Sequence, residues 1–215
     1  MIAFELNAEK NMCVVQKKEP AASDNNIIIK VICASICGTD FRTFTKGSDK
    51  IDVPKTLGHE VVGTVVHVGE SAKGEIKEGD RVTVAPAVGC GECWTCKLGH
   101  TNMCNSLTTI GYQYEGAFAE YMEIPRQAVE MGNIIKIPDD VSDMAAVLSE
   151  PAACALNAQT YLKIKEEDTV VIYGSGYIGC VHAELARLAG AKKIIMVEIA
   201  KPRAEIAQKM IPDII

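Results

Sequence analysis

Apolar positions along this chain fall into two regimes. From Met1 to about Pro138 they come in short runs with β character. Asn26 to Ser35 is densely β-branched and long enough for a strand buried on both faces, and Val61 to Gly69 is a second such run. Arg81-Val82-Thr83-Val84 alternates as a half-buried strand does, and Phe118 to Ile124 is another strand candidate. Gly74, Gly79 and Asp80 mark turns between them. Many short strands with glycine turns predict a small, barrel-like β domain.

From Ser142 the pattern changes. Ser142 or Asp143 can cap a short helix, and Pro151 suits the first turn of the next, through Leu162. A strand (Thr169 to Tyr173), a glycine-rich turn, a helix (Ile178 to Ala189), a strand (Lys193 to Glu198) and a helix ending near Met210 follow. That order predicts a βαβα unit with a parallel sheet. The expected organisation is a mixed α/β chain with domains over residues 1–150 and 151–215.

Composition narrows the function classes. The 215 residues are 48% hydrophobic and 23% charged, as in an ordinary globular protein of one or two domains. A net charge of −6 with no basic block argues against nucleic acid or an anionic membrane as partner. No apolar run reaches the roughly 18 residues of a membrane span. The start, Met1-Ile2-Ala3-Phe4-Glu5, has no basic region or cleavage site, so a cytoplasmic location is expected. Nine cysteines, four of them between positions 90 and 104, fit metal binding in a reducing compartment better than disulfides.

The stretch Leu57-Gly58-His59-Glu60-Val61-Val62-Gly63 puts an imidazole and a carboxylate at the head of a buried run. Alone, His59 would be a satisfied core histidine. Cys37 upstream, in Cys37-Gly38-Thr39-Asp40, and Glu150, in Ser149-Glu150-Pro151, change that reading. One thiolate, one imidazole and one or two carboxylates form the ligand set of an open, catalytic zinc site. Cys90, Cys93, Cys96 and Cys104 lie within fifteen positions and can converge on a second zinc, at about 2.3 Å each, with no position left for water. That site would be structural, fixing a loop with little apolar content of its own. Trp94 and His100, inside it, read as packing and surface residues.

Gly174-Ser175-Gly176-Tyr177-Ile178-Gly179 reads Gly-x-Gly-x-x-Gly between a strand and a helix. The first glycine makes the turn, the second admits a pyrophosphate to the backbone, and the third packs helix on strand. Tyr177 and Ile178 open the helix whose N-terminus faces that anion. The next strand ends on Glu198, 24 residues after Gly174, where a carboxylate takes ribose hydroxyls and repels a 2′-phosphate. NAD is therefore expected over NADP, a preference that Lys201 and Arg203, close by, soften.

Together these pieces resemble the zinc-dependent, medium-chain alcohol dehydrogenase family, in its sorbitol (L-iditol) and threonine dehydrogenase branch. Gly58-His59-Glu60-x-x-Gly63-x5-Gly69 matches the zinc motif of that family, and the four cysteines match its structural-zinc lobe. Gly116-Ala117-Phe118-Ala119-Glu120-Tyr121 and Ser149-Glu150-Pro151 also fit. The resemblance implies a GroES-like β-barrel catalytic domain followed by the first half of a Rossmann-type, doubly wound parallel sheet. It implies two zinc ions per chain, NAD, and hydride transfer from a polyol or other secondary alcohol. A sugar-alcohol phosphate or L-threonine is the alternative substrate, and a zinc-binding module without turnover the alternative role. A full-length form is expected to be a homo-oligomer.

Residue by residue, the resemblance makes Cys37 and His59 direct ligands, with Glu60 or Glu150 as the remaining protein contact. Asp40 takes the position that holds the zinc-bound imidazole, and Thr39 that of the hydroxyl receiving the substrate proton. Many relatives carry histidine two residues after the aspartate; here it is Arg42, which does not deprotonate. The proton then leaves elsewhere, or Arg42 holds an anionic group of the substrate. The family's nucleotide sheet usually has six strands and this chain offers two, so a fragment is expected, with an unpaired apolar edge on its first strand.

Overall fold

The computed structural model describes residues 1–8, 11–72 and 74–211. The chain divides into two compact units, Met1–Ser149 and Glu150–Ile215. The first holds strands β1 (Ile2–Leu6), β2 (Met12–Gln16) and β3 (Ile27–Ser35), then helix α1 (Gly38–Lys46). Strands β4 (Lys55–Thr56), β5 (Glu60–Val68), β6 (Arg81–Val84) and β7 (Ala87–Val88) follow, with a one-turn 3-10 helix at Glu70–Ala72. Next come α2 (Trp94–Lys97), a 3-10 turn at Thr101–Met103, β8 (Thr108–Thr109), β9 (Tyr121–Ile124), α3 (Arg126–Glu130), β10 (Ile134–Lys136) and α4 (Asp143–Ala146).

Two antiparallel sheets form the wall of this unit, ordered β10-β6-β5-β3-β9 and β2-β1-β4. The strand predicted over Phe118 to Ile124 serves both. Tyr121–Ile124 pairs with β3, while the Phe118 carbonyl accepts from Phe4 N–H at 2.7 Å and Glu120 N–H donates to Ile2 O at 3.1 Å. One segment thus stitches the sheets into the expected barrel-like form.

The core sits inside that wall. Ile27 and Ile29 of β3, Val61 and Val65 of β5, Val82 and Val84 of β6, and Met122 and Ile124 of β9 are buried together. Fully burying such a side chain contributes about 1.5–3 kcal/mol before conformational entropy is charged against it. The β-branched run of β3 is not buried throughout: Lys30 and Ile32 face out. Two register shifts in its pairing with β5, at Ile28/Ile29 and Val31/Cys33, break the alternation.

The mostly β reading of residues 1–138 passes over three short helices among the described residues, of which α1, directly after Cys37, matters most. At the other end, Ser142 caps α4 as expected, its hydroxyl accepting from Ala145 N–H at 3.2 Å. Arg81 ties β6 to that helix through Asp143, at 2.8 Å, and through the Val141 carbonyl.

The second unit is built from α5 (Ser149–Thr160, its first residue the last of the first unit), β11 (Thr169–Tyr173), α6 (Tyr177–Leu188), β12 (Lys193–Val197) and α7 (Lys201–Met210). Strands β11 and β12 pair in parallel, Thr169 opposite Lys193 through Tyr173 opposite Val197. Cys180, Ala183 and Ala186 of α6 pack with Ile194, Ala207 and Ile211 as a small core. Buried Gln159 joins α5 to α6 by donating to the His182 carbonyl at 2.7 Å. Among the described residues β11 pairs only with β12, and Tyr173 at its end is 83% exposed, as expected of an unpaired apolar edge.

Candidate metal centres and nucleotide turn

The register of β3 and β5 builds the first centre. It sets Ser35 opposite Glu60, so Cys37, two residues beyond Ser35, comes to lie beside His59, one residue before Glu60. Ligand atoms of Cys37, His59 and Glu60 all fall within 4.8 Å of one another. Gly58 makes the turn into β5: its φ is +96°, and a Cβ there would meet Phe118 Cδ1 at 2.6 Å. Helix α1 starts at Cys37, whose N–H donates to Asp40 Oδ2 at 2.9 Å. The Ser35 hydroxyl donates to Glu60 Oε2.

This cluster is buried and electrically lopsided. His59 and Glu60 are 7% and 4% exposed. No lysine or arginine pairs with Asp40 or Glu60 among the described residues. Burial disfavours a charged imidazole, but Asp40 and Cys37 outweigh it and push His59 up to about 10. Contact with His59 and the Thr39 N–H and hydroxyl, against a smaller opposing effect of burial, hold the Cys37 thiol below its usual range. His59 Nδ1 has no aligned hydrogen-bond partner, although Asp40 Oδ1 is 3.4 Å away. At that separation the contact is electrostatic rather than a formed hydrogen bond. A thiol, an imidazole and a carboxylate converging with no lysine or arginine paired to them among the described residues fit a divalent metal with a preference for mixed S, N and O donors.

Tyr112 completes the surroundings, and sequence reasoning missed it. Its ring lies 6.4 Å from that of His59, tilted by 60°. Burial, with Asp40 and Cys37, holds the phenol above its ordinary value, and its hydroxyl reaches Thr39. No local pattern in Gly111-Tyr112-Gln113 announces this; the loop arrives by way of the barrel wall.

In the cysteine lobe, the sulfurs of Cys90, Cys93, Cys96 and Cys104 lie within 4.8 Å of one another, and all nine cysteines are free thiols. Backbone N–H groups already point at them: Cys90 and Ser106 to Cys104 Sγ, both at 3.3 Å, and Cys93 to Cys90 Sγ at 3.4 Å. Crowding splits the thiols. The Thr95 hydroxyl and nearby N–H groups pull Cys93 down to about 5, while burial and its neighbours push Cys96 up to about 11. Four thiolates cannot coexist there without a cation, so this donor set fits a closed tetrahedral metal. Trp94, read from the sequence as a packing residue, is instead exposed, and His100 is exposed as expected.

The nucleotide turn lies in the second unit. Gly174 has φ of +99°, and a Cβ on Gly179 would collide with the Gly174 carbonyl. Nothing lies within 4 Å of a Cβ built on Gly176, which caps α6 without a side-chain partner, and Tyr177 and Ile178 form the first turn. Glu198, just past β12, accepts from Ser175 N–H and from Ala200 N–H, both at 2.9 Å. Those backbone donors, Ala200 first, keep its carboxyl below the usual value. Arg203 is exposed in the first turn of α7, and Glu150 stands in the first turn of α5, where Cys154 Sγ approaches it at 3.9 Å.

Residues 23–139 match the family described as the alcohol dehydrogenase GroES-like domain. The chain belongs to that family. Among curated relatives, L-threonine 3-dehydrogenase of Shewanella baltica is 37% identical over 209 residues, 96% of this chain and 59% of that protein. Galactitol-1-phosphate dehydrogenase of Escherichia coli superposes with a TM-score of 0.88 at 26% identity, over 97% of this chain and 59% of that one. A candidate zinc-binding dehydrogenase of Sinorhizobium meliloti, solved with NADP, gives 0.87 at 34% identity over the same shares. The GroES-like chain thus spans about 59% of the length of these proteins. No helix among the described residues is long and apolar enough to cross a membrane.

Proposed function

We propose that the chain carries the catalytic machinery of a zinc-dependent dehydrogenase that oxidises a polyol or another secondary alcohol with NAD. One observation carries this reading: Cys37, His59 and Glu60 offer a thiol, an imidazole and a carboxylate within 4.8 Å of one another, beside the hydroxyl of Thr39. Cys37, His59 and one of Glu60 and Glu150 would hold the catalytic metal, and the four-cysteine lobe a structural one. When bound, such a metal would supply Lewis-acid chemistry at the substrate oxygen.

The protein's own groups do the rest. Asp40 steadies the His59 imidazole and, through the Cys37 N–H, the start of α1. The Thr39 hydroxyl, between Cys37 and Tyr112, would take the proton of the substrate hydroxyl while passing its own outward to water in the cavity that Thr39 lines. Gly174, Gly176 and Gly179 admit the cofactor pyrophosphate to the head of α6, with Tyr177 and Ile178 in its first turn. Glu198 takes the ribose hydroxyls, and Arg203 flanks it. The relatives whose names specify L-threonine and galactitol 1-phosphate mark the substrate range to be searched. A homo-oligomer in the cytoplasm is the expected setting.

The test is NADH formation by zinc-loaded protein across polyols, their phosphates and L-threonine. Thr39→Val should slow the turning-over reaction by about 10²–10⁴ with zinc content unchanged. Near-normal turnover in that variant would remove Thr39 from the proton path.

A further inference from the structure

Helix α1 turns Thr39, Arg42 and Lys46 towards one cavity of about 740 Å³, and the loop after the helix adds Asp49 and Lys50 to its lining. Positions 39, 42 and 46 follow the helical repeat, so one face carries the proposed proton acceptor at one end and two cations further along. Among the described residues, Asp49 is the only carboxylate in the lining. Among the described residues, none of Arg42, Lys46 and Lys50 forms an ion pair. In a chain of net charge −6 this is a local reversal of sign, and a concave site focuses such a field on an incoming anion.

We infer that this cavity is the anion subsite of the substrate pocket, and that it takes the phosphate of a phosphorylated polyol whose reacting hydroxyl meets Thr39. The inference rests on the dehydrogenase reading above and specifies its substrate. Along the axis of α1, Arg42 lies about 4.5 Å from Thr39 and Lys46 about 10.5 Å. A carboxylate on the carbon beside the reacting one reaches no further than Arg42 and leaves Lys46 and Lys50 without a role. A phosphate at the far end of an extended pentitol or hexitol arrives where those two lysines stand. A dianion also matches several cations better than a monoanion does. Arg42, which cannot pass a proton outward, here gains a function as the planar donor nearest the reacting carbon.

Calorimetric titration of the zinc-loaded protein with sorbitol, sorbitol 6-phosphate and L-threonine reads the subsite directly. Sorbitol 6-phosphate should bind at least about tenfold tighter than sorbitol, with inorganic phosphate competing. Lys46→Gln combined with Lys50→Gln should cut that ratio by about tenfold or more, whereas Lys18→Gln, at an exposed lysine outside the cavity, should leave it alone. Equal binding of sorbitol and its phosphate, or an unchanged ratio in the double variant, overturns the inference. So does tighter binding of L-threonine than of sorbitol 6-phosphate, which would make the ligand a carboxylate. Loss of NADH affinity in the double variant with the ratio intact would assign the cations to the cofactor, and also overturns it. Because the readout is binding, failure of every alcohol to reduce NAD would count against the dehydrogenase reading alone.

Discussion

Asp40 touches both direct-ligand candidates of the first centre: its Oδ1 lies 3.4 Å from His59 Nδ1, and its Oδ2 accepts the Cys37 N–H at 2.9 Å. One buried carboxylate therefore orients the imidazole and anchors the helix that begins at the thiol. With Nδ1 facing Asp40, Nε2 would be the atom offered to a metal.

From this follows a selective effect of Asp40→Asn. It should weaken the metal at Cys37 and His59 by about 10–100-fold while leaving the four-cysteine site loaded. Chelator competition that resolves the two classes of zinc is the measurement. Equal weakening of both classes would make Asp40 a folding residue only.

The stretch around Gly58-His59-Glu60, the four spaced cysteines and the Gly174 turn were legible in the sequence because each is a local pattern whose residues the fold keeps close together. Strand β3 and strand β5 were legible for the same reason, as dense apolar runs. Helix α1 was not. Its nine residues include glycine, three threonines and two phenylalanines, all weak helix formers, and it is held by the Cys37–Asp40 cap and by packing. The hairpin of β1 and β2 was missed because its apolar residues do not alternate cleanly with burial: Phe4 and Val14 are exposed. Tyr112 beside His59, and Lys46 with Lys50 around one cavity, are products of tertiary structure and leave no local signal.

Acid stability offers a test of the β1–β2–β4 corner. Glu115 accepts from Lys17 Nζ at 2.8 Å and from Thr56 N–H at 3.1 Å. Burial would raise its carboxyl, but Lys17 and Thr56 together hold it below the ordinary 4.5. A group with a depressed folded-state value contributes stability that is full above its unfolded value and lost as pH falls through the folded one. Glu115→Gln should therefore flatten the fall in melting temperature between about pH 5 and about pH 3, with a small effect at neutral pH because the pair is half exposed. An unchanged acid limb would show that this ion pair contributes nothing.

On the proposed reading, cofactor choice would turn on Glu198, which is tied to Ser175 and Ala200 yet retains free lone pairs on both oxygens. The protein should bind NADH in preference to NADPH, and Glu198→Ala should narrow the gap by about tenfold through loss of charge repulsion. Fluorescence titration with both cofactors measures it. Preference of the unsubstituted protein for NADPH, the choice suggested by its NADP-bound relative, would reverse the assignment.

The proposed reading gives the chain two unlike metal centres, one closed by Cys90, Cys93, Cys96 and Cys104 and one open at Cys37, His59 and a carboxylate. Elemental analysis of the purified protein beside Cys93→Ser and Cys37→Ser tests it most directly. Two zinc ions are expected in the parent and one in each variant, with Cys93→Ser lowering thermal stability and Cys37→Ser leaving it largely intact. One zinc or none in the parent, or loss of the same ion in both variants, would contradict the account.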